Sequence, residues 1–229
     1  MRTFVASALC LTSFSAIASA DLHYNPALGT TPTAQGWQYT GPGAEIGSVS
    51  GNIFSYGPTA TANVHIWNYL LPSAMDFSTQ SWAIEADIRL TDTFFGNNSG
   101  FRRGGFVLFL QDDLGRSITA DIGSAALGLR NDNTGLSDPS MAFDLSSAFH
   151  VVRLEATPAG GRLLIDGVEQ MTLDFGTVPA TRAASWGESS TLAYTGLTEV
   201  RSASVTIIPA PTSLALLTLA GLATRRRRN

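Results

Sequence analysis

The hydrophobic positions of this chain recur at period two rather than at the spacing of a helix face. Residues 82–90 (WAIEADIRL) set Ile84, Ala86, Ile88 and Leu90 on one side and Glu85, Asp87 and Arg89 on the other. That alternation belongs to a strand with one buried and one solvated face. Residues 105–111 (GFVLFLQ) form an unbroken apolar, β-favouring run, which predicts a strand buried on both faces. The turn Asp112-Asp113-Leu114-Gly115 leads from it into a strand over 116–122. Strands over 149–157 and 162–165 flank Pro158-Ala159-Gly160-Gly161, and Asp166-Gly167 turns the chain again into 168–175; both turns are hairpin signals. A last strand covers 203–208, with shorter ones at 52–56, 63–68 and 126–130. About ten strands, with no amphipathic helix and no internal repeat, predict an all-β, antiparallel two-sheet β-sandwich or jelly roll.

The two ends break this pattern. Arg2 precedes an apolar stretch from Phe4 to Leu11, and Ala18-Ser19-Ala20 is followed by Asp21. A positive start, an apolar run too short to span, and the small residues Ala18 and Ala20 before the cut predict a signal peptide over residues 1–20, removed by signal peptidase. At the other end residues 213–224 are apolar or small, and Arg225, Arg226, Arg227 and Arg228 precede Asn229. As a helix this stretch covers about 18 Å, so snorkelling Arg side chains and the upstream Ile207 and Ile208 are needed to cross a ~30 Å hydrocarbon core. The Arg cluster is expected to stay cytoplasmic, which places the β domain outside.

The tail, Pro209-Ala210-Pro211 followed by a brief transmembrane helix and a terminal Arg cluster, resembles the PEP-CTERM sorting tail of Gram-negative bacteria, with Ala210 where that motif carries glutamate. The resemblance implies processing by an exosortase-type sorting enzyme, transient membrane anchoring, and then a place at the cell surface or in an extracellular matrix. The expected organisation is a signal peptide over 1–20, a sandwich domain over 21–208 and a sorting tail over 209–229.

Composition narrows function mainly by exclusion. Five of the 14 basic residues lie in the two ends, so the body carries nine Arg and no lysine against all 18 acidic residues, a net charge of about −9. Phosphate backbones demand clustered positive charge, so no nucleic-acid partner is expected. The single cysteine, Cys10, falls in the leader, which removes disulfides, zinc–thiolate sites and cysteine nucleophiles from the mature chain.

The segments SWAIEADIRL (81–90), GFVLFLQDDLGRSITADIG (105–123) and FHVVRLEATPAGGRLLIDGVEQ (149–170) are followed by SWGESS (185–190) and LTEVRSASVTI (197–207). In this order they resemble the concanavalin A-like, laminin-G-like sandwich family over residues 40–208. That family includes glycoside hydrolases carrying Glu-x-Asp with a further Glu three or four residues after the Asp. Here Glu85-Ala86-Asp87 is followed at those positions by Leu90 and Thr91, so the acid/base carboxylate is missing. Neighbours on one strand face lie about 6.5–7 Å apart, wider than the ~5–5.5 Å of a retaining pair and at the low edge for an inverting one. Alternating charge on a solvated strand face accounts for Glu85 and Asp87.

Other chemistry finds little support. His23, His65 and His150 are scattered, and no His-x-x-x-His pair or Gly-x-Ser-x-Gly elbow occurs. No catalytic residue is therefore expected. The loop 131–138 (NDNTGLSD) gathers Asp132, Asn133 and Asp138 around a glycine turn. Such oxygen-rich loops suit hard cations, so Ca²⁺ is the candidate cofactor, although none is required and Asx-rich turns are commonly only turns. Trp67 and Tyr69, near Tyr56, are the candidates for stacking on a sugar, whereas Trp82 and Trp186 are expected as core or hairpin anchors. The expectation is a non-enzymatic, exported surface or matrix protein whose lectin-like sandwich binds extracellular polysaccharide or a partner surface protein. The alternatives are a glucanase-type glycoside hydrolase and a purely structural surface protein.

Overall fold

The computed structural model describes residues 22–57, 64–70, 75–93, 95–98, 101–131, 139–179, 182–188 and 196–208, with the backbone alone for 95–98 and 101–104. The expected leader, the sorting tail with its helix, and the Asp132–Asp138 loop lie outside these residues. In chain order the strands begin with β1 (Leu22–Tyr24), β2 (Gln38–Thr40), β3 (Ser48–Ser50), β4 (Ile53–Tyr56), β5 (His65–Tyr69) and β6 (Ser81–Thr91). Next come β7 (Phe95–Asn98), β8 (Phe101–Gly104), β9 (Phe106–Gln111), β10 (Arg116–Ile122), β11 (Ala126–Arg130) and β12 (Ser140–Ala142). The last six are β13 (His150–Thr157), β14 (Gly160–Ile165), β15 (Val168–Leu173), β16 (Gly176–Thr177), β17 (Ala183–Glu188) and β18 (Leu197–Ile208). Among the described residues the helical elements are two short 3-10 turns, and no helix is long and apolar enough to cross a membrane.

Two eight-stranded antiparallel sheets face each other. The first runs β15-β14-β13-β6-β18-β4-β3, with β1 on the edge of β18 beyond β4. The second runs β12-β11-β10-β9-β17-β5-β2, with β16 beside the start of β10. The expected sandwich is thus present. Its strand number is higher than expected because short pieces such as β2, β3 and β12 carry too few residues to show a period.

The alternation expected of β6 is met: Ile84, Ala86, Ile88 and Leu90 are all buried between the sheets. Strand β18 shows how register is repaired. Val200, Ala203 and Val205 are buried although they do not share one alternation. The pairing with β6 slips between Val200 and Ser202, so a bulge at Arg201 resets the phase and returns both halves to the core. The Asp166-Gly167 turn closes β14 onto β15 with φ of 50° and 79°, the left-handed pair that a two-residue hairpin of this hand requires.

Aromatic side chains fill one end of the core. Trp67 and Trp186 are cross-strand partners and stack with centroids 4.6 Å apart at 20°. Phe54, Tyr56 and Trp37 pack edge-on or tilted around them, and Tyr24 stacks on Trp186 at 23°. Rings of this size supply large buried area and prefer such offset and edge contacts.

Candidate functional site

The outward-facing positions separate the two sheets. On the first sheet they include a cluster of charged side chains, which are ion-paired across strands. Arg153 sits between Glu85 (3.2 Å) and Glu155 (2.6 Å), and Arg162 reaches Glu155 and Glu169. Arg201 holds Asp87 at 2.8 Å and Arg89 holds Glu199 at 2.6 Å, with the Phe149 ring against both guanidinium groups. Glu85 and Asp87, the beginnings of a glucanase pair, are therefore members of a cross-strand ion lattice, as alternating charge on a wet face predicts.

On the second sheet the inward residues are Phe106, Leu108 and Leu110 of β9, Ile118, Ala120 and Ile122 of β10, Leu127 and Leu129 of β11, and Trp186 of β17. Alternation then points Val107, Phe109 and Gln111, Ser117, Thr119 and Asp121, Gly128 and Arg130, and Ala183, Ser185 and Gly187 to the outer face. The strand register aligns Arg130, Thr119, Phe109, Ser185, Asn68 and Gln38 in one row across six strands. At the usual strand spacing this row is about 24 Å long. Phe109 is half-buried in the middle of it, whereas Thr119 and Ser185 on either side are buried.

The row is knitted by short polar contacts. Ser185 Oγ donates to Asn68 Oδ1 at 2.7 Å, and Asn68 Nδ2 donates to Thr40 Oγ1 at 3.0 Å. Gln111, next but one to Phe109 on β9, donates to the Pro179 carbonyl. Asp121 is fully buried and receives Arg130 Nε at 2.8 Å. The hairpin of β7 and β8 packs against the same two strands, β10 and β11. A charged pair buried on the outside of a sheet is expensive to desolvate and calls for an explanation beyond packing.

A second polar cluster lies at the inner rim of this sheet. His65, 3% exposed, meets the Tyr39 hydroxyl through Nδ1 at 2.6 Å and lies directly across the ladder from buried Glu188. Its Nε2 has no hydrogen-bond partner, and burial pushes its pKa below the ordinary value. Nearby, Glu45 accepts from Trp67 Nε1 and the Thr31 hydroxyl, both at 2.6 Å, which ties its loop to the core.

These positions correct the sugar-stacking residues read from the sequence. Trp67 is 0% exposed, stacked on Trp186 and hydrogen-bonded to Glu45, so it offers no face to a ligand. Tyr69 is only half-buried but lies on the same inward side of β5, tilted against Trp37. Period two dictates this, since residues 65, 67 and 69 share a side and Trp67 is core. Among the described residues the aromatic that reaches the outer face is Phe109, hidden in the sequence inside an apolar run whose two faces look alike.

The acidic turn at Asp112-Asp113 is structural. Asp112 accepts from the backbone of Phe77, Leu114 and Arg116 and pairs with the Arg116 side chain. Asp113 receives the backbone of Met75 and the Arg182 guanidinium. Beside them, hydrogen bonds from Ser78 and Arg116 hold the Asp76 carboxyl down at about 2. Among the described residues no three His, Cys, Asp or Glu side chains converge as a metal site.

No protein-family model and no curated protein matches the chain. Solved structures do share its architecture. The carbohydrate esterase vb_24B_21 of Shiga toxin-encoding bacteriophage phi24B is 13% identical, with 82% of this chain and 98% of that one covered and a TM-score of 0.53. The alginate lyase AlyA1 of Zobellia galactanivorans is 12% identical, covering 81% and 100%, with a TM-score of 0.52. The family 7 polysaccharide lyase AlgAT5, also an alginate lyase, is 13% identical, covering 79% and 88%, with a TM-score of 0.50. At such identities the likeness is one of fold. It nevertheless overturns the expectation of a non-catalytic chain, because this architecture carries enzymes: the missing third carboxylate excludes one glycosidase mechanism, not catalysis. The structure described above is therefore an all-β, two-sheet antiparallel sandwich that matches these jelly-roll folds.

Proposed function

We propose that this protein is exported through its leader and sorted to the cell surface or extracellular matrix by its Pro209-Ala210-Pro211 tail, where its sandwich engages polysaccharide. The engaging surface is the outer face of the second sheet. The observation that carries the reading is Phe109, a half-buried aromatic in the middle of a row that also holds Thr119, Ser185, Asn68 and Gln38. A sugar ring presents an apolar C–H face and a rim of hydroxyls, so an aromatic platform with Asn68, Gln38 and Thr40 farther along the same face matches both.

Cleavage of the bound polymer is favoured by one further observation. Asp121 and Arg130 form a buried charged pair beside Phe109 on the same face, a carboxylate and a guanidinium kept out of water at a desolvation cost. The test is binding of the purified chain to immobilised extracellular polysaccharides, with calcium and with chelator, while released fragments are assayed. Retention that Phe109→Ala abolishes is the expected result, provided the variant keeps its circular dichroism. Unchanged retention by that variant would remove the platform from the account. Fragment release lost in Asp121→Asn would identify catalysis on this face.

A further inference from the structure

Resting on that reading, we infer that Thr40, at the β2 end of the same face, is a second contact for a polysaccharide segment several sugar rings long, and that Asn68 fixes its hydroxyl as a hydrogen-bond donor. Thr40 and Gln38 are exposed on β2, an edge strand of the second sheet. Strand pairing carries the face from Phe109 on β9 through Ser185 on β17 and Asn68 on β5 to Gln38. Three strand spacings therefore separate Phe109 from Gln38, about 14 Å. Thr40 lies two residues farther along β2. A sugar ring is close in size to the phenyl ring it stacks on, so one ring cannot meet both Phe109 and Thr40. A ligand that uses both contacts is an extended segment lying across the strands.

The direction of the Thr40 hydroxyl follows from the hydrogen bonds behind it. Asn68 Nδ2 donates to the Gln38 carbonyl at 3.4 Å, and a carbonyl can only accept. That contact sets which end of the amide faces β2, so the same Nδ2 donates to Thr40 Oγ1 at 3.0 Å. The amide oxygen then faces β17 and receives the Ser185 hydroxyl at 2.7 Å. Ser185 is 3% exposed, so this end of the chain of bonds is anchored in the sheet. At the other end Thr40 accepts from Asn68 and keeps its own proton for the solvent side. A hydroxyl held in this way donates to a ring oxygen, a glycosidic oxygen or a sugar hydroxyl. Its selectivity is geometric: it rewards an acceptor placed several rings away from the one stacked on Phe109.

The experiment measures the affinity of the full 229-residue chain for size-graded oligosaccharides of cellulose, xylan, mannan and alginate, from disaccharide to hexasaccharide. Affinity is expected to rise at least about tenfold between disaccharide and hexasaccharide. Thr40→Val is expected to lower hexasaccharide affinity about fivefold, the equivalent of one hydrogen bond, and disaccharide affinity less than about twofold. Asn68→Asp brings a carboxylate that only accepts and so draws the Thr40 proton inward. It is expected to match Thr40→Val, with the double variant no weaker than either single one. Thr40→Ser keeps the hydroxyl and is expected to recover the tighter binding of the longer chain. Disaccharide binding as tight as hexasaccharide binding would overturn the inference and leave the Phe109 face standing. So would a Thr40→Val variant that loses nothing, or loses equally at both lengths. No binding at any length would overturn the polysaccharide reading together with the inference.

Discussion

The two outer faces of this sandwich are made by the same backbone device and filled by opposite rules. On the first sheet, Glu85, Asp87 and Arg89 of β6 find cross-strand partners of opposite sign and remain partly in water. On the second sheet the corresponding positions of β10, Ser117, Thr119 and Asp121, are buried, and the one charge among them is matched by Arg130 away from solvent. The lattice on the first sheet is what a solvated sheet face needs for solubility, with each exposed pair contributing little. A buried polar face around a half-buried aromatic is not required by folding, because apolar residues would fill it at less risk. That difference, with Glu155 as the buried charge on the first sheet, is the ground on which the proposed site is placed on the second sheet.

The largest effect that separates the faces concerns their ion pairs. Arg130→Met leaves Asp121 buried without its guanidinium and is expected to lower unfolding free energy by about 3–5 kcal/mol in urea titration. Arg201→Met, which releases Asp87 on the first sheet, is expected to cost less than about 1 kcal/mol. Equal losses would show that the two faces do not differ in kind. Next in size is ligand affinity. Phe109→Ala is expected to weaken polysaccharide binding about tenfold or more, the equivalent of one lost stacking contact. Phe149→Ala, which removes the ring lying against Arg89 and Arg201, is expected to leave binding unchanged. A loss from the Phe149 variant instead would move the site to the first sheet.

The smallest effect is at the inner rim of the second sheet. Burial holds the His65 imidazole below its ordinary pKa, so its contribution to stability is complete above the unfolded value of about 6.5 and is lost as pH falls below it. The melting temperature should therefore drop between about pH 7 and pH 5, and His65→Gln should drop less over that interval. Asp76, held down at about 2 by Ser78 and Arg116, loses its contribution only in stronger acid and does not mask this window. A variant with the same pH slope as the wild type would exclude His65 as its source.

Much of the fold was legible because local patterns carried it. The period-two run at 82–90 became β6, Asp166-Gly167 became the hairpin turn, and Trp82 and Trp186 are buried as expected. Strand β17 escaped notice: its Ala-Ala-Ser-Trp-Gly-Glu sequence has small outward residues and no alternation of hydrophobicity to detect. Those small residues are what leaves Phe109 uncrowded, so the least strand-like segment matters most to the candidate site. Trp67 misled for the opposite reason. An aromatic beside polar residues reads as a platform, yet its side of β5 is fixed by which face meets the other sheet.

The sequence by itself determined the class of structure, the phase of β6 and the charged character of its outer positions, because alternation and turn chemistry act between residues close in the chain. Only the tertiary structure decided that Phe109 emerges on the outer face, that Trp67 does not, and that Asp121 and Arg130 are buried together. Those outcomes depend on pairings such as Phe109 with Ser185 and Trp67 with Trp186, which join residues far apart in sequence. Period two states which side chains share a face; what covers that face is settled when the strands assemble.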